Sequence, residues 1–236
     1  IRDSYDGDTG LAVDWRARNF SASQLIALGQ CGFRWWARYE LGLQAPDEAI
    51  DDVRPQVRGL LYHRALELAA KAASNQPDLR QAMLDALETV FHQAERDLAR
   101  DHLIHLDQME TWAAQRREHL TVLRQAILHP TFLEDGTRIE GTETEFMGLW
   151  REFTLRGVVD RIDRVQDELV ILDYKAGASN YGKVQDARRR NTLDLQLPIY
   201  QETAGPALFP GETIRAASYL YLAKPAREAA RVDGPA

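Results

Sequence analysis

Two carboxylates and a lysine fall on what read as two neighbouring strands of this chain. Phe153 to Val165 and Leu169 to Lys175 are rich in β-branched and apolar residues, and Gln166-Asp167-Glu168 interrupts them. A two-residue hairpin loop at Gln166-Asp167 puts Val165 opposite Glu168 and, by the same register, Asp160 opposite Asp173. Directly opposed residues on one sheet face have Cβ atoms about 4.5–5.5 Å apart. Strand alternation brings Lys175 to the face of Asp173 and turns Tyr174 to the other. Opposed like charges destabilise a sheet, and a bound divalent cation is the simplest thing that reverses the cost. The register is an assumption, because Gln-Asp is not a favoured turn pair and a three-residue loop would move Asp160 to the other face unless a bulge restored it. On spacing alone, a second reading stands beside the first: Asp173 and Lys175 on the surface, Asp160 paired with an arginine. Val170-Ile171-Leu172 argues against it, since a strand buried on both faces rarely ends in unpartnered charge.

The elements around these residues follow from periodicity and punctuation. Residues 1–20 are polar and aspartate-rich and read as an irregular or wrapping segment. Ser21 or Ser23 can cap a helix over Gln24 to Leu41. Ala45 to Val57, charged and holding two prolines, reads as a loop, and Gly59 to Ala73 as a helix. Pro77 can open the next helix, with Leu79, Met83, Leu87, Val90 and Phe91 at helical spacing, and Glu110 to Leu128 forms another, stopped before Pro130. Residues 139–175 have strand character, Val184 to Thr203 reads as helical with Pro198 as a kink or a misplaced boundary, and Ile214 to Leu222 alternates like a strand. The expectation is one domain over residues 1–236, with the helices from about 75 to 130 inserted into a smaller α/β core.

Further side chains could join the chemistry. Gly59 and His63 share a helix face that Leu66 and Ala70 continue, so His63 points inward, either as a hydrogen-bonded core residue or as a ligand. Glu143 and Glu145 lie two apart on a strand over Thr142 to Phe146, hence on one face. Gln196 and Tyr200 are four apart on a helix, where amide and hydroxyl can reach a phosphate or position Lys175. Arg188-Arg189-Arg190, with Lys183 before and Asn191 after, is a basic cluster that is either a solvated face or a phosphate contact. Cys31 alone reads as a small buried apolar residue, and His102 and His105 as surface.

Asp160 followed by Asp173-x-Lys175 resembles the PD-(D/E)XK nuclease signature, and Gly157-x-x-Asp160-Arg161-Ile162-Asp163 with Asp173-Tyr174-Lys175 is similar to its RecB-like branch. Ser21 to Leu25 with Cys31-Gly32-Phe33, Gly59-Leu60-Leu61-Tyr62-His63, and Gln196-Leu197-Pro198-Ile199-Tyr200 resemble the branch's flanking motifs in order, over about residues 21–222. The resemblance implies a mixed central sheet flanked by helices, a restriction-endonuclease-like α/β core. It implies a metal-dependent DNA nuclease, an exonuclease in end processing or recombinational repair, with Asp160, Asp173 and Lys175 as catalytic residues. His63, Asp160, Asp173 and the backbone carbonyl of Tyr174 would hold Mg²⁺ or Mn²⁺, and Gln196, Tyr200, Arg188, Arg189 and Arg190 would meet DNA. A helicase partner or fused helicase is implied as well. The rival is a non-catalytic nuclease-like DNA-binding or scaffold module. Some AddB-type relatives hold an iron–sulfur cluster with one early and three late cysteines; with Cys31 alone, no such cluster can be completed within this chain.

Composition sets outer limits. The 236 residues are 44% hydrophobic and 28% charged, an ordinary globular balance. No apolar run approaches the roughly 18 residues that span a bilayer, and no signal peptide is present, so the expectation is a cytoplasmic protein without membrane contact. One cysteine fits a reducing compartment, and a start at Ile1 fits a piece of something longer. The net charge of −7 weighs against a nucleic-acid partner unless positive charge is concentrated locally, as at Arg188–Arg190.

Overall fold

A six-stranded mixed sheet organises the protein, in a computed structural model that describes residues 15–43, 53–178 and 195–229. β2 (Arg138–Trp150) and β3 (Phe153–Val165) form a long antiparallel hairpin. β4 (Glu168–Lys175) runs antiparallel to β3, β5 (Ile214–Tyr221) parallel to β4, and β6 (Ala226–Ala229) closes the edge antiparallel to β5. A short β1 (Asn19–Phe20) lies parallel to β3 beside Thr154 and Leu155, within a segment whose sequence promised no regular structure. The architecture is the helix-flanked mixed α/β sheet expected.

The tight hairpin is present as read: Val165 pairs with Glu168, and the register continues to Arg161 opposite Leu172. Gln166 takes φ 57, the positive value that a two-residue hairpin loop demands. Pairing between β3 and β4 ends at Arg161 and Leu172, one residue before Asp160 and Asp173. Beyond that point β3 goes on pairing with β2, and β4 with β5 as far as Lys175 opposite Tyr221. The two central strands therefore part at the two aspartates.

Helices cover both faces. α3 (Pro55–Ala73), α4 (Leu79–His102) and α5 (Trp112–Leu128) bury Tyr62, Leu66, Leu87, Phe91, Trp112 and Ile127 among themselves. Phe132, Tyr174, Leu220 and Leu222 extend that core to the sheet. The second core joins Phe20, Trp35, Phe146, Val159, Ile171, Ile199 and Ala217, beneath α1 (Ala22–Gln30), α2 (Gly32–Tyr39) and a helical run beginning at Gln196. Val170, Ile171 and Leu172 are buried, as a strand covered on both faces requires.

Several boundaries differ from the sequence reading, each for a local reason. The helix expected over Gln24 to Leu41 is two helices, broken where Cys31 adopts an extended conformation at φ −164. Cys31 is exposed rather than buried, because as the joint it turns away from both helix faces. Ser21 is the cap of α1 and forms a reciprocal capping box with Gln24. α3 starts at Pro55, inside the stretch read as a loop, since proline suits a first helical position where its missing N–H is not needed. α4 opens at Leu79 rather than at Pro77, capped by Asp78, which accepts from the Gln81 amide. Pro198 likewise sits in the first turn of the helix Gln196–Ile199, so it marks a boundary, not a kink. That helix passes into a π-helical turn, Tyr200–Ala204, and then Gly205–Leu208. Arg188, Arg189, Arg190, Lys183 and Asn191 lie outside the described residues.

Candidate metal centre and active site

The site forms where β3 and β4 separate, because the backbone groups freed there need partners. Tyr174 supplies both. Its N–H donates to Asp160 Oδ2 at 2.6 Å, and its carbonyl accepts from His63 Nε2 at 3.1 Å. A carbonyl only accepts, so Nε2 must carry the proton. The other ring nitrogen, Nδ1, then faces Asp160 Oδ1 at 3.4 Å and Glu143 Oε1 at 3.7 Å. One atom each from His63, Glu143 and Asp160 lies within 4.8 Å of the others. Burial opposes charge on His63, but hydrogen bonding and attraction from Asp160 and Glu143 prevail and raise its pKa to about 10.

Glu143 was one of two glutamates the spacing left equivalent. The structure separates them: Glu143 is half-buried in the cluster, and Glu145 is exposed. Glu143 sits at φ 45 within β2, a left-handed conformation that a non-glycine strand residue adopts only when its surroundings impose it. Such outliers gather at functional sites, and here the outlier carries a carboxylate of the cluster. Residue type alone gave no signal of it.

Asp173 stands beside this group, not within it. Its Oδ1 accepts from Gln196 Nε2 at 2.6 Å, and its Oδ2 lies 2.5 Å from Lys175 Nζ in an ion pair poorly aligned for a hydrogen bond. Burial and the charge of Asp160 push Asp173 up to about 6, against the pull of Lys175. Gln196 also accepts from Lys175 Nζ at 3.1 Å through Oε1 and donates to the Tyr200 hydroxyl at 3.1 Å. Tyr200 is buried and donates onward to the Val158 carbonyl. Gln196 and Tyr200 thus brace the aspartate–lysine pair; of the two, only Gln196 touches it.

The opposite face explains a different aspartate. Arg161 is fully buried, pairs with Asp163 at 2.9 Å, and donates to the Phe132 carbonyl and the Tyr174 hydroxyl. Its guanidinium lies 4.7 Å from the Phe132 ring centroid, and Phe132 stacks on Tyr174. The arginine of the strand therefore serves Asp163 and anchors Tyr174, leaving Asp160 to the site. A cavity of about 240 Å³ opens beside the cluster, lined by His63, Glu143, Leu60, Arg64, Asp97 and His102 among others.

The donor set suits a hard divalent cation: carboxylate oxygens with one imidazole nitrogen. Two buried oxygens of the site, Glu143 Oε1 and Asp173 Oδ2, have no aligned hydrogen-bond donor, which is compatible with a cation as partner. Among the described residues no helix is long and apolar enough to cross a membrane.

Comparison with known proteins agrees with this geometry. Over 166 residues, or 68% of its length, the chain is 30% identical to an ATP-dependent helicase/deoxyribonuclease subunit from Streptococcus equi subsp. zooepidemicus strain MGCS10565. It is 29% identical over the same length to the protein of that description from strain H70. The chain spans only 14% of the length of either relative. A family profile described as PD-(D/E)XK nuclease superfamily matches residues 19–235, nearly the whole chain, and to that superfamily the chain belongs.

Proposed function

We propose that this domain is a divalent-metal-dependent deoxyribonuclease that hydrolyses phosphodiester bonds, acting as an exonuclease in DNA end processing or recombinational repair. The observation that carries the reading is the convergence of His63, Glu143 and Asp160 beside the Asp173–Lys175 pair, at the point where two central strands part. His63 through Nδ1, Asp160, Asp173 and Glu143 would hold Mg²⁺ or Mn²⁺. Such an ion, when bound, lowers the pKa of a coordinated water and offsets charge on the phosphate.

The chain's own groups do the rest. The Tyr174 carbonyl fixes the His63 tautomer, so that the lone pair and not the N–H faces the carboxylates. The Tyr174 amide holds Asp160 in place. Lys175 is half-exposed and cannot be a ligand while protonated, having donors and no lone pair. Its role is to present positive charge and N–H donors to a phosphate oxygen or to the attacking water, where charge develops in the transition state. Gln196 keeps Lys175 and Asp173 in mutual register through the two ends of one amide. DNA is the substrate, and a helicase is the partner or the neighbouring part of the same polypeptide; the descriptions of the relatives support both.

The test is incubation of linear single- and double-stranded DNA with the domain, with Mg²⁺, Mn²⁺ or chelator, alongside calorimetric Mn²⁺ titration. Cleavage that needs metal, and loss of both cleavage and tight Mn²⁺ binding in Asp173→Ala, are expected. Tight Mn²⁺ binding in an Asp160→Ala, Asp173→Ala double variant would place the centre elsewhere, and DNA binding without cleavage under every condition would favour the scaffold reading.

A further inference from the structure

We propose that Tyr219 is a positioning residue for Lys175, its ring face fixing where the ammonium points. The inference rests on the nuclease reading of this site. Tyr219 lies on β5 in register with Asp173 on β4, and Lys175 is two residues further along β4. Alternation on parallel neighbours puts all three side chains on one face. Lys175 Nζ lies 4.5 Å from the Tyr219 ring centroid, well inside the range of about 6 Å over which a ring face attracts a cation. The ring is not free to follow the lysine: Tyr219 is 8% exposed, packed in the second core, and set edge-to-face on Tyr221.

The hydroxyl makes a second connection. It donates to Gln196 Oε1 at 3.4 Å, the oxygen that also accepts from Lys175 at 3.1 Å. The Gln196 amide has no choice of orientation, because its Nε2 donates to Asp173 Oδ1 and to the Tyr200 hydroxyl. Among the described residues Lys175 therefore has three holds: Asp173 Oδ2, Gln196 Oε1 and the Tyr219 ring. The first is a carboxylate oxygen that a cation in the site would compete for. Gln196 Oε1 and the ring are not proposed cation ligands, and of the three holds the ring alone engages no acceptor atom, so it confines the ammonium by its face. A flexible lysine loses reach and rotamer freedom unless something of this kind confines it.

Tyr219→Phe and Tyr219→Leu separate ring from hydroxyl. Two readouts are needed: kcat and KM on linear DNA with Mg²⁺, and the NMR shift of the Lys175 Hε protons in metal-free protein, which a ring face moves upfield. Tyr219→Phe should hold kcat within about threefold and keep the upfield shift. Tyr219→Leu should lower kcat by about two- to thirtyfold with KM unchanged, the range a cation–ring contact is worth, and return the protons to an ordinary lysine position. A folded Tyr219→Leu variant with unaltered kcat overturns the proposal. So does an equal loss of kcat in both variants, or the absence of an upfield shift in the unaltered protein, which decides the matter even if Tyr219→Leu does not fold. If the unaltered domain cuts no DNA, the nuclease reading fails, and the NMR arm still reports whether Tyr219 holds Lys175.

Discussion

Asp173 and His63 both have raised pKa values beside the same negative cluster, and both lose stability as pH rises, in different windows. A carboxyl raised in the folded state carries no penalty below its ordinary value of about 3.9, and the penalty grows as pH rises through its folded value, here about 6. Metal-free Asp173→Asn should therefore melt above the unaltered protein at pH 8 and level with it at pH 4. A thermal series across that range checks it, and a lower melting point at pH 8 would contradict it. For His63 the sign is the same and the window higher: the stability from its charge is full below about 6.5 and is lost as pH rises through about 10. Mn²⁺ must replace the proton on Nδ1, so affinity should climb with pH over that window and fall in His63→Ala. Unchanged affinity in His63→Ala, measured by calorimetry, would remove it from the centre. These two residues were legible in the sequence because strand period and helix spacing fix where a side chain points. Glu143 was legible only as one of a pair with Glu145, since what separates the two is φ 45 at Glu143, which no residue type in Thr142 to Phe146 announces.

At the scale of elements, the β3–β4 hairpin does most to build the site. Its register was readable because Gln166-Asp167 is the only break between two apolar runs, and the pairing of Val165 with Glu168 bears that out. The parting of the strands at Asp160 and Asp173 was not readable, because it depends on β2 and β5 each drawing one strand away. The split of the first helix at Cys31 also escaped the pattern, as apolar spacing runs through the joint without interruption. Arg161 pins this hairpin from beneath, buried with Asp163 and the stacked rings of Phe132 and Tyr174. Removing one partner of a buried ion pair costs about 3–5 kcal/mol, whereas replacing both with apolar groups can be neutral. Arg161→Met should lose stability of that order in urea unfolding, and Arg161→Met with Asp163→Leu should recover much of it. A loss under about 1 kcal/mol for Arg161→Met would mean that the pair is not what holds Tyr174 under the site.

For the whole molecule, a net charge of −7 must be reconciled with a DNA substrate. Part of the acidic charge is paired locally, so what matters is where the remaining positive charge lies: Arg64 bridges Glu67 and Asp97, Arg164 binds Glu140 and Glu212, and Arg215 and Arg227 share Glu134. The cluster Arg188-Arg189-Arg190 is the sequence's densest run of positive charge, and its replacement by alanine should weaken DNA binding and flatten its salt dependence. Each phosphate no longer neutralised lowers the log–log slope by about 0.7–0.9. An unchanged slope would assign the cluster to another role. The most direct test of the account is the rate at which linear DNA is cut in Mg²⁺ by the unaltered domain and by Lys175→Ala, with Mn²⁺ affinity measured on both. Lys175 lies beside the proposed ligands without being one, so the variant should bind metal nearly as well and cut about 10²–10³ times more slowly. If the unaltered domain cuts and Lys175→Ala cuts equally fast, the catalytic assignment of this strand is wrong.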